Sequence, residues 1–160
     1  MATLDELCER GTLAKLRVRL AAGEFPDRSF YGYPSFHDWL GGPLLRATAF
    51  DRINIAPRLQ ALGLFRDFIS GKPLNVGRTF KRMRPKEADV FELVTPDVRI
   101  FGWFPRKDVF VAVAGDVMEN THGHDLYPGY RNMVIRQREL LDLDEPKWTP
   151  GASENDVISF

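Results

Sequence analysis

The chain has 160 residues, 44% of them hydrophobic and 28% charged, which suits one ordinary globular core with a small appendage. Its one cysteine, Cys8, excludes an internal disulfide framework and a cysteine-based metal centre, and fits a reducing, cytoplasmic compartment. No run approaches the ~18 apolar residues of a membrane span, and the start MATLDELCER is acidic where a secretory signal is basic and then apolar, so a soluble protein with no membrane partner is expected.

Lys plus Arg and Asp plus Glu balance at 22 each, but unevenly along the chain. Residues 58–138 carry 14 basic against 9 acidic side chains, whereas 139–160 carry 1 against 6. A basic body with an acidic end suggests a polyanion-binding surface, with the tail after Glu139 either shielding it electrostatically or simply solvated.

In chain order, Thr3 to Glu6 has the spacing of a capping box and predicts a short helix to about Arg10. Thr12 then caps a second predicted helix, with Leu13, Leu16 and Leu20 on one face and Gly23 ending it. From Glu24 to Pro43 prolines, glycines and rings dominate. Such a segment resists long regular structure and is expected to lie across a face of the main domain, or else to expose rings that stack bases. His37 reads as a structural side chain.

Asn54 is placed to cap a helix with Pro57 in its first turn and a buried stripe of Ile55, Leu59, Leu62, Phe65 and Ile69, stopped by Gly71 and Pro73. A strand follows over Gly77 to Met83. Arg78, Lys81, Arg82, Arg84 and Lys86 place five cations in nine residues, a density suited to phosphate contact or to a solvated loop.

Three strands are expected next, Val90 to Val94, Val98 to Phe104 and Val109 to Ala114. Turns as short as those at Pro96 and Pro105 to Asp108 make neighbours antiparallel. Alternation puts Arg99, Phe101 and Trp103 on one side and Val98, Ile100 and Phe104 on the other. If the first side is open, an arginine beside two rings suits gripping a nucleotide; if it is covered, the rings are core. Gly115 to Tyr127 is a polar loop whose His122 and His124, with Asp125, suit proton transfer better than metal binding. Pro128 opens a helix carrying Tyr130, Arg131, Arg136 and Arg138, with Met133 and Val134 able to face the sheet and the arginines outward. In the acidic tail, Val157, Ile158 and Phe160 could dock as an edge strand or an anchor.

The order of helix, basic strand, ELVTPDVRIFGWF, VFVAVAG, polar loop and Tyr-containing basic helix resembles the RelE/HigB superfamily of bacterial toxins. The residues carrying the resemblance are Glu92, Leu93, Arg99 and Phe104, then Val109 to Gly115, then Thr121 to Arg136, within a match from Asn54 to Leu140. The resemblance implies an α+β fold with an antiparallel sheet of three to five strands under helices. On that reading 1–53 is a helical and aromatic-rich N-terminal extension, 54–140 a RelE-like core and 141–160 an acidic tail.

The resemblance also implies ribosome-dependent, metal-independent cleavage of mRNA, with no cofactor and with an antitoxin as protein partner. Carried over by position, Arg99 and Arg82 hold phosphate, His122 or His124 carry protons, and Tyr130 stacks on or orients the nucleotide. Arg78, Lys81, Arg84, Trp103 and Arg131 complete the expected substrate contacts. The chain departs from the family in its loop, where Glu119, His122, His124 and Asp125 stand in place of several lysines, in its neutral net charge and in its N-terminal half, which has no counterpart. A non-catalytic RelE-fold binding protein is the alternative, and a small-molecule or metal-dependent enzyme built on the histidine loop is a third reading.

Overall fold

The computed structural model describes residues 1–50, 55–118, 121 and 125–159. Its fold is α+β, built on a six-stranded mixed sheet with helices on both faces. The strands are β1 (Ala14–Lys15), β2 (Ser29–Gly32), β3 (Phe80–Arg82), β4 (Phe91–Val94), β5 (Val98–Arg106) and β6 (Val109–Val117), ordered β1-β2-β6-β5-β4-β3. Every neighbouring pair is antiparallel except β2 and β6, which run parallel with Phe30 beside Phe110. The expected sheet of three to five antiparallel strands is therefore too small and misses this pair. Short turns announce antiparallel neighbours locally, whereas a parallel partner far along the chain leaves no local trace.

The helices are α1 (Leu4–Glu9), α2 (Pro34–Gly41), α3 (Pro43–Arg46), α4 (Pro57–Ile69), α5 (Tyr127–Leu140) and α6 (Glu154–Val157). Thr3 and Glu6 close the capping box on α1 as read. Among the described residues 12–23 there is no helix: the chain runs extended through β1. Leu13 packs with the core on one face of the sheet while Leu16, Val18 and Leu20 pack on the other, so the segment crosses the sheet edge. The segment from Glu24 to Pro43 is also more regular than its composition suggests, since it supplies β2 and α2. Gly115 makes room for this, because the Trp39 ring of α2 lies where a Cβ on Gly115 would project. Residues 1–53 thus contribute two strands of the sheet as well as helices.

One core gathers Phe30, Phe65, Phe68, Phe80, Phe91, Phe104 and Phe110 beneath α2, α3 and α4, with Phe80 stacked on Phe91 at 5.5 Å and other rings meeting edge-on or tilted at 5.0–6.3 Å. The second, under α1 and α5, holds Leu4, Leu7, Phe101, Trp103, Val111 and Val134. Val98, Ile100 and Phe104 fall in the first and Phe101 and Trp103 in the second, as alternation along β5 requires. The stripe expected on α4 is rotated. Gln60, Ala61, Leu64, Phe65, Phe68 and Ile69 are buried, whereas Ile55, Leu59 and Leu62 are exposed. Gln60 occupies a core position because its side chain is hydrogen-bonded to the β4–β5 turn, and a polar residue in the buried row disguised that row. Asn54, the expected cap, lies outside the described residues.

The tail is part of the body. Leu141, Leu143, Ala152, Val157 and Ile158 are buried, and the buried Arg28 donates to the carbonyl of Ser159 at 2.7 Å while pairing with Asp108 at 3.4 Å. Val157 and Ile158 anchor it through α6 and the residue after it; Phe160 lies outside the described residues. Among the described residues no helix is long and apolar enough to cross a membrane.

Candidate nucleic-acid interface

The loop from Arg84 to Asp89 follows β3 and contains one 3-10 turn, Lys86–Ala88, closed by Asp89 in the left-handed conformation at φ 54. Its backbone is gripped from three sides. Arg131 of α5 donates to the Arg84 carbonyl at 2.9 Å, and Arg82 of β3 donates to that of Lys86 at 2.8 Å. Arg138 of α5 donates to those of Asp89 and Ala88, each at 3.0 Å. The Asp89 carboxylate accepts from Arg82 at 3.4 Å and from the Gly151 amide at 3.0 and 3.2 Å. These bonds bring donors to the carbonyls of Arg84, Ala88 and Asp89 and add a second to that of Lys86, which also accepts from the Asp89 amide across the 3-10 turn.

Two hollows flank this loop. The first, about 410 Å³, is bounded by Lys81, Arg84, Arg131, Tyr127, Glu92 and Asp125. The second, about 550 Å³, is bounded by Arg84, Pro85, Lys86, Glu87 and Arg131. They share Arg84 and Arg131 and form one basic groove beside the first turn of α5, where no side chain caps the helix and its amides add positive potential. Lys81 is also 3.5 Å from the buried carboxylate of Glu92 on the groove floor.

Beside this groove, Tyr130 stacks on Phe101 at 4.6 Å and 9°, and Tyr127 meets the same ring edge-on at 5.9 Å. The Tyr130 hydroxyl donates to Asp116 Oδ2 at 2.5 Å. Burial, then this bond and the Asp116 charge, push the hydroxyl well above the ordinary tyrosine range, so it stays protonated near neutral pH. Asp116 pairs in register with Arg99 across β5 and β6. Arg99 is buried and donates to the carbonyls of Thr95 at 2.5 Å and Val98 at 3.0 Å, directing its charge at the β4–β5 turn.

The sequence-predicted residues therefore divide. Lys81, Arg84 and Arg131 come together in the groove, joined by Lys86. Arg82 borders it too, but its guanidinium is bound to the loop. Arg78 is exposed on the turn before β3 and lines neither hollow. Expected as a stacking surface, Trp103 is instead core: it is fully buried, donates to the Lys147 carbonyl at 3.1 Å and lies 6.4 Å from the Tyr33 ring. α1, α5 and the segment after α5 cover that face. Tyr130 and Arg99 lie behind the groove rather than in its walls, and His122 and His124 lie outside the described residues.

Arg138 does not face outward as expected: it is buried, with its guanidinium 4.0 Å from the Trp148 ring. Met133 is exposed while Val134 faces the sheet. His37 has the structural role read for it, its Nε2 lying 2.9 Å from the Ala14 carbonyl. The acidic tail lines neither hollow, so it does not lie over the groove as a shield. Sequence reasoning missed Asp89 and Arg138 because the contacts that define them reach residues far away in the chain. Among the described residues no group of three or more His, Cys, Asp and Glu side chains could hold a metal. No family model, curated protein or solved structure matches the chain.

Proposed function

We propose that this protein is a toxin-like RNA endonuclease of the RelE/HigB kind that acts on mRNA at the ribosome and is held by an antitoxin. The observation that carries this reading is the groove where Lys81, Arg84, Lys86 and Arg131 meet the first turn of α5 and Tyr127. Spaced cations with an aromatic ring at the edge suit a single strand, whose phosphates are neutralised while a base stacks.

Cleavage in this reading is internal transesterification. The ribose 2′-oxygen forms a bond to the adjacent phosphorus as the bond to the 5′-oxygen breaks, leaving a 2′,3′-cyclic phosphate and a 5′-hydroxyl. The 2′-hydroxyl proton leaves to a base, the 5′-oxygen gains one from an acid, and the groove cations stabilise the phosphorane. His122 and His124, which follow β6 in the sequence, are the proton carriers that the resemblance implies. A second reading, an RNA-binding relative without catalysis, is favoured by one observation: the Arg99 guanidinium and the Tyr130 hydroxyl are both engaged inside the fold.

The test adds purified protein to translating ribosomes and maps mRNA ends by primer extension, with wild type, Arg84→Ala/Arg131→Ala and His122→Ala/His124→Ala. Cuts in wild type that both variants lose support the endonuclease. Binding without cuts supports the second reading, and absence of both removes the proposed function.

A further inference from the structure

The loop from Arg84 to Asp89 holds itself by no strand pairing along its length, yet it carries two of the groove's four cations. Its shape is set from behind. Arg138, buried in α5, forks onto the carbonyls of Ala88 and Asp89, each at 3.0 Å, and the Trp148 ring covers its guanidinium at 4.0 Å. Asp89, itself buried, joins the loop to β3 through Arg82 and to the tail through the Gly151 amide. Arg82 and Arg138 belong to the cation-rich stretches of the sequence, but their donors bind backbone carbonyls, while Arg84 and Lys86 on the same loop are exposed to the groove.

We infer that Arg138 and Asp89, with Trp148 and Gly151 behind them, are positioning residues that hold Arg84 and Lys86 at the groove for contact with the phosphates of an RNA strand. The inference rests on the RNA reading of the groove. It assigns to the tail segment 148–151 a task in binding although that segment never reaches the groove. Arg138 suits the position because its rigid planar fork reaches two carbonyls in fixed geometry while its flat face stacks on a ring, a combination that the point charge of a lysine ammonium does not reproduce.

The experiment reads the salt dependence of binding to fluorescein-labelled pentadecauridylate, and to inorganic polyphosphate, by anisotropy between about 50 and 200 mM salt. On a single strand each lost phosphate contact flattens the slope of log K against log salt by about 0.7, so Arg84→Ala/Lys86→Ala flattens it by about 1.4. Arg138→Met is expected to flatten it comparably, and the triple variant to match either rather than their sum. Arg138→Lys is expected to recover less than half of the lost slope.

A merely structural Arg138 would lower the unfolding midpoint and leave the slope of the folded protein unchanged; that result, or simple additivity, overturns the inference. Should Arg138→Met be unfolded by circular dichroism, Trp148→Leu carries the same comparison. Binding of polyphosphate without RNA removes the proposed function and the inference that rests on it, whereas RNA binding with an unchanged slope in Arg138→Met overturns the inference alone. If wild type binds neither, both fall.

Discussion

Gln60 offers the sharpest test of how the β4–β5 turn is held. This buried side chain on α4 makes four bonds: its amide donates to Asp97 Oδ2 at 2.6 Å and to the Ile55 carbonyl at 2.9 Å, and its oxygen accepts from Thr95 Oγ1 at 2.8 Å and the Asp97 amide at 2.9 Å. Asp97 in turn accepts from the Met118 amide, at the end of β6 where the polar loop begins. Gln60→Leu keeps the volume and removes every bond. The Asp97 carboxylate keeps the Phe50 amide at 3.3 Å but loses its shorter donor, which costs about 2–3 kcal/mol, and its orphaned amide costs about 1–2 kcal/mol. The leucine returns about 1 kcal/mol by burial.

The expected net loss is about 3 kcal/mol, or roughly a 10 °C fall in melting temperature for a chain of this size. Urea unfolding followed by tryptophan fluorescence measures it. Gln60→Glu is the companion, since it sets a second carboxylate against Asp97. Its deficit should be largest at neutral pH and shrink as acid protonates one of the pair. A loss below about 1 kcal/mol in Gln60→Leu, with no acid recovery in Gln60→Glu, would refute the account of this turn.

Tyr130→Phe keeps the stack on Phe101 and loses the bond to Asp116. It should cost about 1.5–3 kcal/mol at neutral pH by urea midpoint. Because the folded state raises the Tyr130 hydroxyl above its ordinary value of 10.0, the stability it confers is whole below pH 10 and declines as pH rises toward the folded value. Tyr33, raised by burial, declines over the same range, so Tyr130→Phe should lessen the alkaline loss without abolishing it. An unchanged pH profile would speak against the Tyr130 assignment. Gly115→Ala drives a Cβ into the Trp39 ring and should cost about 1–3 kcal/mol, whereas Gly115→Ala with Trp39→Leu should cost less than the two changes summed; strict additivity in a double-mutant cycle contradicts the contact. Trp103→Ala should lose about 3–5 kcal/mol in chemical unfolding, and a near-native midpoint would restore that ring as a candidate surface.

Local chemistry made much of the fold readable. The capping hydroxyl at Thr3, the proline opening α5 and the hairpins on either side of β5 each declare themselves within a few residues, and strand alternation sorted Arg99, Phe101 and Trp103 onto one face. The unreadable part depended on distance. Leu13, Leu16 and Leu20 have helical spacing, but they serve two cores on opposite sides of a sheet edge, which only an extended chain can do. At the groove the density of arginines was visible and their division of labour was not. Whether a guanidinium meets a carbonyl or the open groove depends on what folds back behind it, as Trp148 and Gly151 do for Arg138 and Asp89.

The parallel pairing of β2 with β6 has a bearing on how the molecule comes into being. Hydrogen bonds between Phe30's strand and Phe110's close a loop spanning half the polypeptide, so the central antiparallel ribbon can assemble early while its neighbour waits for a distant mate. During synthesis the ring-rich early segment leaves the ribosome well before the surface that will cover it. That interval is when the nascent chain has most to gain from a chaperone.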